Sequence, residues 1–158
     1  MTCTIKICGI TNQEDLEMIA REGADYGGVI AGIPQSPRNL SLDTAKTLCS
    51  QTPLPLAALT FNKSVAENVL FAESLSPFAL QLQGEETPDE VAALREQVSC
   101  EIWKALHLPP QEEGQPVDLS AYLARAHAFI AAGVDRFIID TCTILDGVKR
   151  YGGTGKPV

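Results

Sequence analysis

The sequence predicts an α/β protein of repeated strand–helix units that form most, but not all, of a (β/α)8 barrel. Short apolar runs alternate with longer segments of helical spacing along the 158 residues. This alternation is typical of parallel strands joined by right-handed crossovers. It also fits an open, doubly wound sheet. Polar residues end several of the apolar runs on the face that a barrel would turn inward, and they favour the barrel.

Six short apolar runs predict six strands. In order they are Thr4–Cys8, Tyr26–Ala31, Leu56–Phe61, Phe78–Leu82, Glu101–Leu106 and Arg136–Asp140. Five segments between them carry apolar side chains at helical spacing. They are marked by Leu16 and Ile19, Ala45 and Leu48, Val65 and Val69, Val91 and Leu94, and Leu123 and Ile130. We therefore expect a single barrel-type domain over residues 1–158 that lacks the last two strands of a full barrel.

Local signals mark where several of these helices begin and end. Three Ser/Thr-x-x-Glu patterns predict capping boxes, at Thr11–Glu14, Ser64–Glu67 and Thr87–Glu90. Gly23 and Gly133 fall just past predicted helix ends, where a left-handed cap favours glycine.

The net charge, the apolar runs and the cysteine spacing indicate which partners and which cellular compartment to expect. The formal net charge of −8 argues against a nucleic-acid partner, because phosphate backbones are bound by basic surfaces. No apolar run approaches the length of a membrane span, and the first residues lack a signal-peptide pattern. The five cysteines are spread out with no Cys-x-x-Cys pair, so neither a disulfide framework nor a zinc site is indicated. We expect a cytoplasmic protein with reduced thiols and no membrane partner.

The first predicted strand ends on a cysteine. A period of two puts Lys6 and Cys8 on the inward face, and Ile5 and Ile7 on the face suited to packing under helices. Barrel enzymes place catalytic groups at the carboxyl ends of strands, and a thiolate there can abstract a proton beside a cation. A small buried apolar cysteine explains the same spacing, and spacing alone favours that interpretation.

The last predicted strand ends on an acid. Ile138 and Asp140 face inward, opposite Phe137 and Ile139. Partial desolvation at the open end of a barrel raises the pKa of a carboxylic acid, so that the acid can donate a proton near neutral pH. A carboxylate bonded to backbone N–H groups of the following loop explains the position equally well.

Other rim positions are weaker candidates. The segment Gly152–Lys156 is rich in glycine and carries a cation. This composition is typical of loops whose backbone N–H groups bind a phosphate, but an ordinary flexible turn has the same composition. Arg38 follows the second strand, where a lone arginine is usually a solvated charge. His107 lies at the end of the fifth strand, and the residues alone assign it no role.

Several short motifs occur in one order along the whole chain. They are Lys6-Ile7-Cys8-Gly9-Ile10-Thr11, Glu22-Gly23-Ala24-Asp25, Pro34-Gln35-Ser36-Pro37-Arg38, Phe61-Asn62, Gln81-Leu82-Gln83-Gly84-Glu85, Ile139-Asp140-Thr141 and Gly152-Gly153-Thr154-Gly155-Lys156. In this order they resemble the phosphoribosylanthranilate isomerase family, barrel enzymes of tryptophan biosynthesis. The opening hexapeptide and the glycine-rich close are the most specific parts.

The resemblance implies an enzyme that needs no metal or organic cofactor. Its small phosphorylated substrate is N-(5-phosphoribosyl)anthranilate, which an Amadori rearrangement converts to 1-(2-carboxyphenylamino)-1-deoxyribulose 5-phosphate. Cys8 matches the general base that takes the C2 proton of the sugar, and Asp140 matches the general acid that protonates the ribose ring oxygen. Arg38 matches the arginine at the anthranilate end. The resemblance also implies substrate contacts for Gln83, Gly153 and Gly155, with the two glycines near the phosphate.

Two features depart from the family pattern. The family usually has histidine where this chain has Gln83. Its members also have eight strands, so a six-stranded chain leaves unpaired edges and lacks part of the phosphate pocket. One alternative is therefore a catalytically impaired remnant that binds a partner or itself through those edges. A different phosphate-binding barrel, such as an epimerase or indole-glycerol-phosphate synthase, is a further alternative that the opening hexapeptide argues against.

Overall fold

The computed structural model describes residues 3–108, 119–145 and 148–151. Within these ranges strands alternate with helices. The strands are β1 (Lys6–Cys8), β2 (Tyr26–Ala31), β3 (Asn39–Leu40), β4 (Leu56–Thr60), β5 (Ala79–Leu82), β6 (Glu101–Leu108), β7 (Arg136–Leu145) and β8 (Val148–Tyr151). The helices are α1 (Gln13–Arg21), α2 (Leu42–Gln51), α3 (Val65–Leu75), α4 (Pro88–Arg95) and α5 (Ser120–Ala131).

Six strands form a continuous parallel sheet in the order β1-β2-β4-β5-β6-β7. A helix follows each of the first five, so the predicted strand–helix repeat and the partial barrel are confirmed. The sheet is the half-barrel that six βα-type strands produce before closure. The two-residue strand β3 pairs with β2 and was not predicted.

The end of the described chain differs from the prediction. The last parallel strand was expected to stop at Asp140, but β7 continues to Leu145 and pairs with β8 in an antiparallel ladder. The segment Thr141–Leu145 contains three β-branched residues, which favour extended backbone. The polar Asp140 therefore lies within a strand and does not end it.

The two faces of the sheet are covered differently. On the outer face, side chains such as Leu16, Leu80 and Ile102 form the main core between strands and helices. On the inner face, Ala57 and Trp103 belong to a smaller buried cluster. In the strands between β1 and β7, alternate residues thus pack against helices or face the interior, as the period of two predicts.

Most predicted helix signals are confirmed. Both reciprocal hydrogen bonds of a capping box are present at Ser64–Glu67 and at Thr87–Glu90. The capping box predicted at Thr11–Glu14 is wrong, because Asn12 is the N-cap and its side-chain oxygen accepts from the Asp15 N–H at 2.8 Å. Gly23 and Gly133 have φ values of 87° and 93°, as expected for left-handed caps.

The outer face of β1 is less covered than predicted. Ile5 and Ile7 are 49% and 40% exposed, whereas the period of two suited them to packing under helices. Helix α1 lies over β2 instead, since Leu16 and Ile19 contact the position where a side chain on Gly27 would begin. Strand β1 is the last strand at that side of the described sheet, so its outer apolar residues stay partly in solvent.

Candidate active site

An aromatic cluster fills the inner face at the amino ends of the strands. Tyr26 and Trp103 pack edge to face with ring centroids 5.2 Å apart, and Phe78 lies 6.5 Å from Trp103. The Arg136 guanidinium lies over both Tyr26 and Trp103, at 5.1 and 5.4 Å from their centroids. In (β/α)8 barrels the amino-end face serves stability and the active site lies at the carboxyl ends of the strands. The candidate site is therefore expected at the carboxyl ends.

A chain of polar side chains crosses the inner face next to this cluster. The Lys6 ammonium donates to Gln81 Oε1 at 2.8 Å, and Gln81 Nε2 donates to Gln83 Oε1 at 2.9 Å. Gln83 Nε2 then donates to Asp140 Oδ2 at 2.8 Å. We call these four residues the polar chain. It connects β1 with β5, with the loop after β5, and with β7.

The polar chain requires a strongly curved sheet. Strands β1 and β5 are three positions apart in the sheet order. In a flat sheet they would lie about 14 Å apart, at about 4.8 Å per strand. A direct hydrogen bond between Lys6 and Gln81 is therefore possible only because the sheet curls around its inner face.

Cys8 lies beside the polar chain on the inner face. A Cβ atom added to Gly28 would be 3.0 Å from Cys8 Sγ and 3.1 Å from Lys6 Nζ. Sulfur and ammonium therefore flank the same small space, which only a glycine leaves open. The thiol is free and half-buried. The Lys6 ammonium therefore lies on the same part of the inner face as the Cys8 sulfur.

Arg38 approaches Cys8 from the rim. Its Nη1 donates to the Cys8 carbonyl oxygen at 3.0 Å. The guanidinium lies directly against Gly9, whose φ of 84° already favours glycine, and a Cβ there would collide with Arg38 Nη1. Gly9 is therefore needed both for the turn that ends β1 and for the approach of the arginine. Arg38 itself is exposed, and its guanidinium fork suits a carboxylate.

Asp140 lies on the inner face of β7, opposite His107 of β6 in the register. His107 Nε2 donates to the Gln83 carbonyl oxygen at 2.8 Å, while the Gln83 side chain donates to Asp140. Burial lowers the pKa of His107, although the hydrogen bond to Gln83 opposes this. His107 is therefore neutral near neutral pH, and it holds the backbone of the residue that contacts the acid.

The structure thus brings four predicted site residues to one curved face. Arg38 contacts Cys8, and Gln83 contacts Asp140. Lys6, whose ammonium flanks the same space as the Cys8 sulfur, is bonded through Gln81 to Gln83. The predicted phosphate-binding residues Gly153 and Gly155 lie outside the described residues. Among the residues that are described, no group of three His, Cys, Asp or Glu side chains is arranged to hold a metal ion. No described helix is long and apolar enough to span a membrane.

Sequence comparison matches residues 5–158 to the family described as N-(5'-phosphoribosyl)anthranilate (PRA) isomerase. The chain belongs to this family. It is 33% identical to N-(5'-phosphoribosyl)anthranilate isomerase of Bacillus subtilis over 96% of its own length and 63% of that protein. It is 31% identical to the isomerase of Rhodopseudomonas palustris, over 99% of the chain and 67% of that protein. The chain therefore spans about two thirds of the length of these relatives.

Solved structures agree with this assignment. Monomers generated from the dimeric phosphoribosylanthranilate isomerase of Thermotoga maritima superpose with a TM-score of 0.72 at 26% identity. That match covers 89% of this chain and 64% of the Thermotoga chain. The family resemblance and the barrel-type fold expected from the motifs are thereby confirmed.

Sequence reasoning missed the buried support beneath the Gln83 loop. Lys104 is fully buried on the outer face of β6, and its ammonium pairs with Glu86 at 2.9 Å. It also donates to the Gly84 carbonyl at 2.7 Å and to the Leu82 carbonyl at 3.2 Å. Burial lowers the pKa of Lys104, and the Glu86 carboxylate opposes this. The only signal in the sequence is a charged residue at an outward position of an apolar strand.

A second contact locks the same loop to its neighbour. Asn62 has a positive φ of 50°, and its side-chain oxygen accepts from the Glu85 N–H at 2.9 Å. A Cβ on Gly84 would collide with that oxygen. In this chain the segments Phe61-Asn62 and Gly84-Glu85 therefore fit closely against each other.

Proposed function

We propose that the chain catalyses the Amadori rearrangement of N-(5-phosphoribosyl)anthranilate in tryptophan biosynthesis, as a cytoplasmic enzyme. The observation that carries the proposal is the shared inner face of Cys8 and Asp140: Lys6, which flanks the same space as the Cys8 sulfur, is connected to Asp140 through Gln81 and Gln83. A thiol and a carboxyl group on one concave face supply the base and the acid that this reaction needs. Membership of the isomerase family supports the same assignment.

In this proposal the two groups act on different atoms of the sugar. Asp140 donates a proton to the ribose ring oxygen, so that the ring C–O bond breaks and a Schiff base forms with the anthranilate nitrogen. Cys8 then removes the proton from C2, and the resulting enolamine tautomerises to the ketone of the product. The first two steps each move one proton between a side chain and the substrate. In the tautomerisation C1 gains a proton and the C2 hydroxyl group loses one, and none of the three steps requires an oxidant or a reductant.

The remaining residues bind and orient the substrate. Arg38, exposed at the rim beside Cys8, is proposed to hold the anthranilate carboxylate by two parallel hydrogen bonds. Gln83 is proposed to orient the acid by its hydrogen bond to Asp140. Gly153 and Gly155 are proposed to contact the phosphate through backbone N–H groups.

An assay of the purified protein on phosphoribosylanthranilate tests the proposal. The substitutions Cys8→Ser and Asp140→Asn should each abolish most turnover. Cys49→Ser is a matched control, because burial raises the pKa of the Cys49 thiol to about 11 and keeps it neutral within helix α2. Turnover by the wild-type protein no faster than in buffer would refute the isomerase assignment, as would full activity of the Cys8→Ser variant.

A second candidate function is self-association through the two lateral faces of the half-barrel. Apolar side chains are exposed at both: Ile5 and Ile7 at β1, and Ile139 at β7 with Leu123 and Ile130 on α5. Contiguous exposed apolar surface and a strand edge favour association. The Thermotoga relative is described as dimeric, which supports self-association but does not identify the faces involved.

Sedimentation velocity over a range of protein concentrations tests self-association. The wild-type chain should form dimers or larger species, and Ile139→Ser should shift the distribution toward monomer. Leu70→Ser is a control, since Leu70 is similarly exposed, at 65%, but lies on α3 away from both lateral faces. A wild-type chain that stays monomeric at all concentrations excludes this candidate.

A further inference from the structure

We propose that Lys6 is a positioning residue for Asp140, acting at a distance through Gln81 and Gln83. This inference rests on the isomerase function proposed above and assigns a role to a residue outside the acid–base pair. The hydrogen bonds of the polar chain connect Lys6 to the acid through two other side chains. Two glutamine side chains lie between them, and each makes one donor and one acceptor contact within the polar chain.

The two ends of the polar chain fix its direction. An ammonium group has only donors, so Gln81 must turn its oxygen toward Lys6. The Gln81 nitrogen then faces Gln83, which must present its own oxygen to it and its nitrogen to Asp140. Both amide groups are therefore held in a single orientation, with each oxygen turned toward the Lys6 end of the polar chain and each nitrogen toward the Asp140 end.

This orientation matters because a glutamine amide is nearly symmetric in shape. Without an anchor, Gln81 and Gln83 can each turn by half a rotation and present oxygen where nitrogen was. A Gln83 oxygen facing Asp140 Oδ2 would place two oxygen atoms against each other and would lose the hydrogen bond that Gln83 Nε2 donates to that oxygen. Lys6 excludes that arrangement by its charge, and the low exposure of Gln81, at 4%, keeps water from competing for its amide.

Glutamine at position 83 can accept one hydrogen bond and donate another with the same amide group. Its amide oxygen and nitrogen accept from Gln81 and donate to Asp140 at the same time. The side chain that departs from the family pattern is therefore the link through which the Lys6 charge reaches the acid. The positioning role thus depends on three side chains, and breaking either of the first two hydrogen bonds should release the third.

Hydrogen exchange of the Gln83 side-chain amide, measured by NMR on the full chain, tests the proposal without relying on activity. Lys6→Met removes the donor with little change in shape. Gln81→Glu keeps the acceptor for Lys6, and so keeps the tie between β1 and β5, but its carboxylate cannot donate to Gln83. Lys46→Met is the matched control, because it removes an equal charge from an exposed position on α2.

We expect exchange at the Gln83 amide to become about tenfold faster in both Lys6→Met and Gln81→Glu, as for the loss of one hydrogen bond to a charged group. The Lys46→Met variant should match wild type. In the isomerase assay, kcat should fall about tenfold in the two test variants, with KM changed less than twofold. If Lys6→Met does not fold, Gln81→Glu decides the same question.

Exchange at Gln83 that stays at the wild-type rate in the folded variants would overturn the proposal. Faster exchange with unchanged kcat would also overturn it, since Lys6 would then order the amides without serving the reaction. If the wild-type chain has no isomerase activity, the proposed function fails by itself. The exchange comparison still shows in that case whether Lys6 orients Gln83.

Discussion

The buried pair between Lys104 and Glu86 should dominate the stability of the loop that carries Gln83. Lys104→Met removes an ammonium that is fully buried and that binds Glu86 and three carbonyl oxygens. It leaves the Glu86 carboxylate, 6% exposed as a residue, without its cation. Removing one partner of a buried pair typically costs about 3–5 kcal/mol. Against a total stability of about 5–15 kcal/mol for a domain, this is a large fraction.

Urea unfolding followed by the fluorescence of Trp103, which is 2% exposed, measures this cost. Lys104→Met should lower the free energy of unfolding by about 3–5 kcal/mol. The double variant Lys104→Met with Glu86→Gln should recover part of it, because no unpaired carboxylate then remains buried. Lys46→Met, at an exposed helix position, should stay within about 0.5 kcal/mol of wild type.

A loss below about 1 kcal/mol for Lys104→Met would refute this reasoning, because it would mean that Glu86 reaches solvent once the lysine is gone. A double variant as unstable as the sum of both single variants would also contradict it. In that case the two side chains would stabilise the loop independently, without forming a coupled pair.

Two further predictions concern the site itself. Gly28→Ala should lower isomerase activity more than stability, because its Cβ would lie 3.0 Å from Cys8 Sγ and 3.1 Å from Lys6 Nζ; wild-type turnover of a folded Gly28→Ala variant would contradict this. Burial lowers the pKa of His107 in the folded state, so the unfolded state binds its proton first as pH falls. Stability should therefore decrease as pH drops through about 6.5. In urea titrations at several pH values, His107→Gln should weaken the dependence of the unfolding free energy on pH. A pH profile identical to that of the wild type would show that His107 is not its cause.

The strand–helix repeat was predictable because each of its signals is local. A period of two correctly placed Lys6 and Cys8 on the inner face, and Ser/Thr-x-x-Glu patterns correctly located two capping boxes. The third pattern failed at Thr11 because the neighbouring Asn12 competes as an N-cap. Such competition between adjacent residues depends on backbone geometry that the sequence pattern does not specify.

The polar chain could not be predicted, because it depends on the curvature of the whole sheet. Lys6 and Gln81 are 75 positions apart in sequence, and Gln83 and Asp140 are 57 apart. Lys104 was missed for a related reason. A lysine within an apolar strand normally extends to solvent, and only the folded loop brings Glu86 and backbone carbonyls around it.

A kinetic comparison of Cys8→Ser, Asp140→Asn and the variant carrying both tests the acid–base pair most directly. If sulfur and carboxyl group serve one reaction on one face, the double variant should lose much less activity than the product of the two single losses. Turnover losses that simply multiply, or a single variant that keeps wild-type kcat, would contradict a shared site.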